Sequence, residues 1–474
     1  MKVTEKAAVG VFAAVAANRV LRCAAMNALD LKLRERSLGD RGAGCPPGVR
    51  EEKYCMIRNL LSVADRALSG DNISPSVRRG IFESFLKNTL LGKDRRKKQL
   101  FLERFGIAPP GFITVSPTKA CNLKCEGCYA GSSSAFNEKL PFHVFDRIIS
   151  EKTESWGSHF TVISGGEPLM YNDGGHDLFE IFSRHRDNFF LMYTNGTLIN
   201  EKTAARMAGA GNITPAISVE GYEAETDARR GRGTYRKIMK AFENLRREGV
   251  PFGISLTATR NNAELVTDEE LMRFYTEEQG ALYAWLFHYM PIGRSSSLDL
   301  MVTPEQRVKM LERTRKLVRD KGYFIADFWN GGPASYGCIS AGRKDGYLYI
   351  IWNGDVTPCV FVPFASDNII DIYNKGGALD DILFSPLFKS IREWQGGYSG
   401  NGNSSDMGNL LRPCPIRDHH ASMRKFVDEA RAVPIDKEAE LSLKDDDYYR
   451  GLVRFGENVG RLTEGIWREE YLRS

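Results

Sequence analysis

Short apolar segments alternate with amphipathic segments between residues 109 and 325 of the chain. The apolar segments have the length of strands, and continuous apolar strands are typical of a parallel sheet that is covered on both faces. The six segments are FITVS (112–116), FTVIS (160–164), FFLMYT (189–194), ITPAISV (213–219), FGISLTA (252–258) and WLFHYM (285–290). We therefore predict six parallel strands.

Helix signals separate these strands. Residues 234–248 carry apolar side chains on one stripe, and Gly249 follows as a stop. A later helix is predicted to begin at Thr303, which can act as the N-cap before Pro304, with Gln306 closing a capping box. Alternating strands and helices predict the α/β class. Six such units predict a partial (β/α)6 TIM-like barrel, with its chemistry at the carboxyl ends of the strands.

The pattern changes on both sides of the predicted barrel. The preceding residues contain helix signals only, and beyond residue 325 a hairpin is predicted at 347–362, where Asn353 and Gly354 fit a type I′ turn. A flexible Gly/Ser-rich loop is predicted at 396–409. The predicted organisation is a helical N-terminal region (1–108), the barrel (109–325), a small cysteine-containing C-terminal domain (326–430) and a helical tail (431–474).

Composition narrows the class of protein. The net charge of +5, from 65 basic and 60 acidic residues, is too small a surplus to indicate nucleic acid as a partner. Nine unevenly spaced cysteines do not resemble a secreted disulfide framework, which favours a cytoplasmic location. The apolar segment at 7–17 is shorter than the roughly 20 residues that span a bilayer. A buried or surface helix is favoured there, with an interfacial membrane helix and a cleaved signal as alternatives.

Three cysteines stand close together in ACNLKCEGCYA, at Cys121, Cys125 and Cys128. A structural zinc site needs four ligands, usually as paired C-x2-C units, and only one such pair is present. A redox dithiol would use Cys125 and Cys128 and leave Cys121 without a role. Three thiolates on one loop after the first strand can hold three irons of a 4Fe-4S cluster and leave the fourth iron open.

The C-x3-C-x2-C spacing, with Tyr129 after it, resembles the cysteine loop of the radical S-adenosylmethionine (SAM) superfamily. The resemblance implies an enzyme in which the three cysteines hold a 4Fe-4S cluster whose open iron chelates SAM. Reductive cleavage of SAM would then yield a 5′-deoxyadenosyl radical that abstracts hydrogen from an unactivated C–H bond. A flavodoxin or ferredoxin is the expected reductant.

Further motifs follow in the order that this resemblance implies. Gly165, Gly166, Glu167 and Pro168 end the second strand and resemble the GGEP motif that receives the ammonium group of SAM, although a plain strand-to-loop turn would also need the glycines. Asn195 ends the third strand.

Two further positions lie at the end of the fourth strand and shortly after it. By resemblance, Ser218 contacts the ribose or carboxylate of SAM, and Arg230 pairs with the carboxylate. Arg229 is an alternative to Arg230, and a solvated surface pair is the competing interpretation.

A second group of cysteines, Cys338, Cys359 and Cys414, lies beyond the barrel. They can be unrelated buried residues. However, the residues around Cys338 and Cys359 resemble the start of a SPASM or twitch extension, which binds auxiliary 4Fe-4S clusters, although the C-x2-C-x5-C run of a full SPASM domain is absent. We predict one auxiliary cluster with an open iron or a non-cysteine fourth ligand. The neighbouring residues 418–420 (Asp, His, His) are interpreted as a surface turn.

The substrate remains open at this stage. The resemblance implies a peptide, a lipid or a small molecule, and a lipid substrate would suit peripheral membrane contact through the N-terminal region. The alternative function is a non-catalytic iron-sulfur electron carrier or scaffold. Such a protein would not need the GGEP motif or the Ser218 and Arg230 positions, so these residues discriminate between the two hypotheses.

Overall fold

The computed structural model describes residues 19–39, 44–69, 73–81, 83–84, 94–400, 403 and 406–473. The apolar segment at 7–17 lies outside these residues. A helix with the length and apolarity needed to span a bilayer is absent from the described ranges. Within them, four helices precede the first strand: α1 (Arg19–Leu38), α2 (Pro47–Ser69), α3 (Pro75–Gly80) and α4 (Arg95–Phe105).

The six predicted strands are all present, and shorter strands accompany them. In chain order the described strands are β1 (Ile113–Val115), β2 (Phe160–Ile163), β3 (Asn172–Asp173), β4 (His176–Asp177), β5 (Phe189–Thr194), β6 (Ile213–Val219), β7 (Gly253–Ala258), β8 (Ala284–His288), β9 (Ile325–Asp327), β10 (Tyr349–Ile350), β11 (Asp355–Thr357), β12 (Phe364–Ala365), β13 (Asp367–Asn368) and β14 (Val433–Pro434).

The central sheet contains ten of these strands, in the order β13-β11-β10-β1-β2-β5-β6-β7-β8-β9. Pairing is parallel from β10 through β1 to β9, and antiparallel between β10, β11 and β13. The six predicted strands form the middle of this sheet, and β9 adds a parallel strand at one edge. The α/β partial barrel is therefore confirmed, and the carboxyl ends of its strands meet at one edge.

Helices cover the sheet and form the C-terminal part. They are α5 (Phe142–Ser155), α6 (Leu178–Arg184), α7 (Glu201–Ala210), α8 (Glu223–Arg230), α9 (Thr234–Arg247), α10 (Glu269–Arg273), α11 (Pro304–Arg319), α12 (Ile369–Asn374), α13 (Pro386–Tyr398), α14 (His420–Ala430), α15 (Lys437–Lys444) and α16 (Asp446–Ile466). The predicted capping box of α11 is present, because the Gln306 amide donates to the Thr303 hydroxyl at 3.1 Å and the Thr303 amide donates to the Gln306 side chain at 2.9 Å.

The predicted hairpin continues the barrel sheet. Its first strand, β10, pairs in parallel with β1, with Thr114 opposite Tyr349, so Cys359, two residues beyond β11, directly follows a strand of the barrel sheet. The type I′ turn is wrong. That turn needs positive φ at both central residues, whereas of the Asn353–Gly354 pair only Gly354 has one (φ 88°). The Gly354 amide donates to the Ile351 carbonyl instead, which gives a longer connection.

Candidate functional site

The three cysteines of the first motif, which we call the first cysteine set (Cys121, Cys125, Cys128), lie on the loop after β1. They line a cavity of about 320 Å³ inside the barrel, which we call the barrel cavity. Inward-facing side chains of the parallel strands form its walls. These side chains include Thr114, Val162, Leu191, Tyr193, Ser218, Ser255, Thr257, Trp285 and Phe287. The cysteines therefore sit at the strand ends where the sequence predicts them.

Arg294, which the sequence interpretation did not identify, holds the cysteine loop in place. Its guanidinium donates to the carbonyl of Cys125 at 2.9 Å and to the carbonyls of Gly131 and Ser132, while its backbone amide donates to the Cys128 carbonyl at 3.0 Å. A planar guanidinium is suited to such a set of oxygens. The sequence feature that could have identified Arg294 is its position directly after the turn that follows β8.

The glycines after β2 pack against the cysteine loop. The Gly166 amide donates to the Thr118 carbonyl at 2.9 Å, and the next amide, that of Glu167, donates to the Ala120 carbonyl at 2.8 Å. A Cβ atom at Gly166 would fall well inside van der Waals contact of that Ala120 carbonyl. Glycine is therefore required for this close approach of two backbones. Both Gly165 and Gly166 line the barrel cavity.

Glu167 and Pro168 lie beside the cavity and are not among its lining residues. The fully buried Glu167 carboxylate accepts hydrogen bonds from the Thr194 hydroxyl at 2.7 Å and from the Asn195 amide at 2.8 Å. Burial raises the pKa of this carboxyl group. Pro168 begins a short 3-10 turn. In this arrangement Glu167 joins the ends of β2 and β5.

Asn195 and Tyr129 connect the cavity-lining loops to each other. The side-chain amide nitrogen of Asn195 donates to the side-chain oxygen of Asn122 at 2.8 Å and lies 3.9 Å from the sulfur of Cys121. The hydroxyl of Tyr129 accepts a hydrogen bond from the Gly165 amide at 3.3 Å. Both residues line the barrel cavity, as Ser218 does. The loops after β1, β2 and β5 therefore form one continuous hydrogen-bonded rim.

Arg229 and Arg230 both line the barrel cavity and share one acidic partner. Each donates to the same carboxylate oxygen of Glu220, a residue that the sequence interpretation missed. The second oxygen of Glu220 is buried and has no hydrogen-bond partner among the described residues. The arginine side chains are 14% and 10% exposed, so the interpretation as a solvated surface pair is wrong. The structure places both arginines at the site.

Burial keeps two thiols of the first cysteine set, those of Cys121 and Cys125, protonated in the absence of a metal. It raises the pKa of Cys121 to about 12 and also raises the pKa of Cys125, against which the positive charge of Arg230 acts. Metal ligation requires thiolates, so binding of a cationic cluster must release these protons.

The second cysteine set (Cys338, Cys359, Cys414) lines a separate cavity of about 360 Å³, which we call the second cavity. Burial raises the pKa of Cys359 to about 12, with the Cys338 thiolate acting in the same direction. Burial also raises the pKa of Cys414, and both other thiols contribute to that shift. The three sulfurs are therefore close enough to interact electrostatically. Cys55 of α2 lines the same cavity, and burial raises its pKa, but the charges that act on it are those of arginine and glutamate side chains and not those of the cysteine set.

Buried charges surround the second cysteine set. Asp418 pairs with Arg307, and both side chains are almost completely buried. His420 is also buried and bonds the Ile416 carbonyl at 2.8 Å. The surface turn expected at 418–420 is therefore wrong, because the arginine from α11 provides an internal partner for Asp418. The fully buried Arg417 has two guanidinium nitrogens without a hydrogen-bond partner among the described residues.

The geometry disfavours a site for a single ion. Among the ranges that the structure describes, no three His, Cys, Asp or Glu side chains are close enough together to hold one metal ion. A cluster that binds each thiolate through a different iron spreads its ligands more widely than one zinc ion does. Fold and site together define an α/β partial barrel with three thiols at the carboxyl ends of its strands.

Comparison with known proteins agrees with this class. Residues 115–272 match the family model described as Radical SAM superfamily. The chain is 30% identical to mycofactocin maturase MftC of Mycobacterium ulcerans over 312 residues, which cover 62% of this chain and 80% of that protein. It is 29% identical to Fe-coproporphyrin III synthase of Methanosarcina barkeri, covering 49% of this chain but only 58% of that protein.

A solved structure shares the fold. Streptococcus suis SuiB, crystallised with the precursor peptide SuiA, superimposes with a TM-score of 0.51 at 16% identity, over 72% of this chain and 83% of SuiB. The chain belongs to the radical SAM superfamily of enzymes, which are defined by a 4Fe-4S cluster and SAM.

Proposed function

We propose that this enzyme abstracts hydrogen from an unactivated C–H bond of a peptide side chain, using a 4Fe-4S cluster held by Cys121, Cys125 and Cys128. When bound, the cluster and SAM together supply the 5′-deoxyadenosyl radical for this step. The observation that carries the proposal is the barrel cavity, in which the first cysteine set and the cationic Arg229 and Arg230 line one largely apolar space.

The residues around the barrel cavity fit the chemical groups of SAM. Arg229 and Arg230 can receive its carboxylate, because Glu220 fixes both side chains and leaves part of each guanidinium available. We assign the ribose or carboxylate contact to Ser218 and a rim contact to Asn195. The backbone at Gly165 and Gly166 offers carbonyl oxygens to the ammonium group. Glu167 supports this rim from behind.

The aromatic walls have a chemical role of their own. A primary carbon radical reacts with nearly any C–H bond, so the protein must exclude water and hold one substrate bond in reach. Tyr193, Trp285, Phe287 and Phe361 line the barrel cavity, and the Phe287 ring contacts the rings of the other three. We propose that these aromatic walls position the substrate.

We further propose that Cys338, Cys359 and Cys414 hold an auxiliary 4Fe-4S cluster. A buried guanidinium is costly unless enough anionic charge accompanies it. Arg417 shares the Asp418 carboxylate, 3.7 Å away, with Arg307. Burial and the Arg307 charge lower the pKa of Arg417 to about 9, and the sulfur of Cys414 acts in the opposite direction. Burial also lowers the pKa of Arg343, and the sulfur of Cys338 acts against that shift. A cluster with three thiolate ligands carries net negative charge and would balance both arginines.

The size of the barrel cavity favours a peptide over a macrocycle. At about 320 Å³ it lies near the lower end of the range for one small-molecule ligand. Once SAM is bound, a single side chain fits better than a complete tetrapyrrole. The maturase relative is consistent with a peptide, whereas the coproporphyrin relative keeps a tetrapyrrole as the second candidate. We propose a flavodoxin or ferredoxin as reductant, and a cytoplasmic location.

The first experiment tests the cofactor assignment. Anaerobic reconstitution should give about eight irons per chain if both clusters form, and about four if one does. With SAM and a reductant the protein should release 5′-deoxyadenosine. Cys125→Ala should abolish this release, whereas Cys359→Ala should retain part of it. Cys23→Ala is the control, because Cys23 lies on the exposed surface of α1. Release that survives Cys125→Ala would contradict the assignment.

The second experiment tests the substrate class. Synthetic peptides that each carry one deuterated residue type should transfer deuterium into 5′-deoxyadenosine for at least one residue type. Iron coproporphyrin III, the compound that the Methanosarcina barkeri relative is named for making, should not bind saturably, as followed by its visible absorption. Saturable binding of the porphyrin without any deuterium transfer from peptides would favour the tetrapyrrole instead.

A further inference from the structure

The barrel cavity and the second cavity share one wall. Five residues line both cavities: Trp285, Phe328, Ile339, Tyr347 and Phe361. Four of them present apolar or indole groups without a side-chain hydrogen bond to either cysteine set. Tyr347 differs, because its hydroxyl lies 2.9 Å from the sulfur of Cys359. Of the five residues that line both cavities, Tyr347 is therefore the one whose side chain brings a polar group to a cysteine.

Packing fixes the Tyr347 side chain in this orientation. Its ring stacks on Phe112 with a centroid distance of 5.1 Å and an interplanar angle of 6°. Its backbone amide donates to the Ile339 carbonyl at 2.8 Å, and only 2% of the residue is exposed. The hydroxyl therefore has little freedom to leave the sulfur.

A thiolate bound to iron can only accept a hydrogen bond, so the tyrosine hydroxyl is the donor in a cluster-loaded protein. Hydrogen bonds to cysteine sulfur reduce the electron density on the cluster and favour its reduced state, and they are among the main determinants of cluster potential. The Phe361 amide also donates to Cys359, at 3.5 Å, but this longer bond comes from the backbone.

We propose that Tyr347 is a positioning residue that raises the reduction potential of the auxiliary cluster through its hydrogen bond to Cys359, from a ring that also forms the wall of the barrel cavity. This inference rests on the proposed auxiliary cluster. It connects the electronic properties of that cluster to the surface against which the substrate packs.

The chain provides a matched control two residues away. Tyr349 is equally buried, at 2% exposure, but its hydroxyl bonds Ser116 at 2.6 Å and reaches neither cysteine set. Tyr347→Phe and Tyr349→Phe each remove one buried hydroxyl from the same hairpin. A change specific to Tyr347→Phe therefore reports the bond to sulfur and not general repacking.

The experiment uses the full chain with Cys121, Cys125 and Cys128 all replaced by alanine, so that only the auxiliary cluster contributes to the spectrum. The midpoint potential is measured by redox titration followed by electron paramagnetic resonance. Tyr347→Phe should shift the potential to more negative values, and Tyr349→Phe should leave it unchanged. Pulsed measurements in deuterated buffer should detect an exchangeable proton coupled to the cluster, which Tyr347→Phe removes.

Each remaining outcome overturns the inference in a distinguishable way. An unchanged potential and an unchanged proton coupling in Tyr347→Phe would overturn the role of Tyr347 while leaving the auxiliary cluster intact. Equal shifts of the midpoint potential in Tyr347→Phe and Tyr349→Phe would mean that the effect comes from altered packing and not from the bond to sulfur. If the triple-alanine chain binds no iron, the auxiliary cluster itself is refuted and the inference with it. If Tyr347→Phe does not fold, the proton coupling in the parent chain decides, since its absence would refute the bond.

Discussion

The two cysteine sets are built in different ways. The first comes from a single loop between Cys121 and Cys128, and neighbouring loops hold that loop through hydrogen bonds to its backbone. The second is assembled from three distant segments, and buried side chains of opposite charge surround it. The first site therefore depends on local backbone geometry, whereas the second depends on tertiary packing and on charge balance. Substitutions that disturb backbone contacts should therefore affect the first site, and substitutions that remove buried charge should affect the second.

Removing the Arg294 side chain should have the largest effect, and only at the first site. Arg294→Ala leaves the carbonyls of Cys125, Gly131 and Ser132 without their charged donor, each such bond being worth about 1.5–3 kcal/mol. Reconstituted iron should fall from about eight to about four per chain. Iron and sulfide analysis measures this loss.

The control for this variant is Arg273→Ala, which removes an exposed arginine paired with Glu278. Its iron content should match the parent chain. Full iron loading of Arg294→Ala, with an unchanged signal from the SAM-binding cluster, would contradict the role assigned to Arg294.

Adding one methyl group at Gly166 should weaken cofactor binding while the second site stays loaded. The new Cβ of Gly166→Ala would overlap the Ala120 carbonyl, so the two loops must separate. Overpacking of this kind costs about 1–3 kcal/mol, and we expect SAM affinity to fall about tenfold or more. Equilibrium binding of SAM to the reconstituted enzyme measures the change.

Gly209→Ala is the matched control, because Gly209 lies within α7 and no atom comes within 4 Å of its added Cβ. This control should leave SAM affinity unchanged and stabilise the helix by about 0.5–1 kcal/mol. Equal affinities in the two glycine variants would remove the steric argument at Gly166.

The same contrast explains which features the sequence predicts. The strands and the first cysteine set have local signals, namely apolar runs and fixed spacing, and both the strands and their order along the barrel are confirmed. The strand β9 (Ile325–Asp327) was missed because Asp327 interrupts the apolar run, and the partner that allows its burial, His288, lies on another strand. The pairing of β10 with β1 joins segments more than 200 residues apart in sequence, and the local pattern of neither segment indicates which strand it pairs with.

Charge pairing across the fold was equally invisible in the sequence. Glu220 lies ahead of Arg229 and Arg230 with no regular spacing that would indicate a shared carboxylate. Asp418 was expected at the surface because its internal partner, Arg307, is 111 residues away in the sequence. Sequence patterns report which residues are apolar, whereas the burial of a charged side chain depends on a partner that only the folded chain provides.

Neutralising Arg417 should have opposite effects on the metal-free and the cluster-loaded protein. Arg417→Met keeps the side-chain length and its stacking position against Trp329 and Phe455, but removes a guanidinium whose carboxylate neighbour, Asp418 at 3.7 Å, is already paired with Arg307. Without metal, the free energy of unfolding should stay equal or rise, within about 1–4 kcal/mol. With the cluster, loss of positive charge should accelerate iron release to a chelator.

Arg424→Met is the control, since Arg424 donates to the Ser442 and Leu443 carbonyls and lies away from both cysteine sets. It should destabilise both forms of the protein. If Arg417→Met destabilised the metal-free chain as much as this control does, Arg417 would be a structural residue and would not serve charge balance.

The smallest expected effect is a pH dependence of the free energy of unfolding, which arises from a buried histidine near the second cysteine set. Burial lowers the pKa of His420 to about 4, below its usual value near 6.5. Below about pH 6.5 the unfolded chain takes up a proton that the folded chain refuses, so stability falls as the pH drops toward 4. Between pH 7 and pH 5 this one group should account for about 2 kcal/mol of the loss.

His420→Asn should remove that part of the pH dependence, because an asparagine amide can still donate toward the Ile416 carbonyl and does not titrate. Denaturant unfolding of the metal-free protein at pH 7 and pH 5 measures the difference. His176→Asn is the comparison, because the His176 side chain is 48% exposed and lies on the barrel surface far from the second cysteine set. If both variants showed the same loss of stability from pH 7 to pH 5 as the parent chain, the acid sensitivity would arise elsewhere, and the buried scaffold around Cys414 would tolerate protonation at His420.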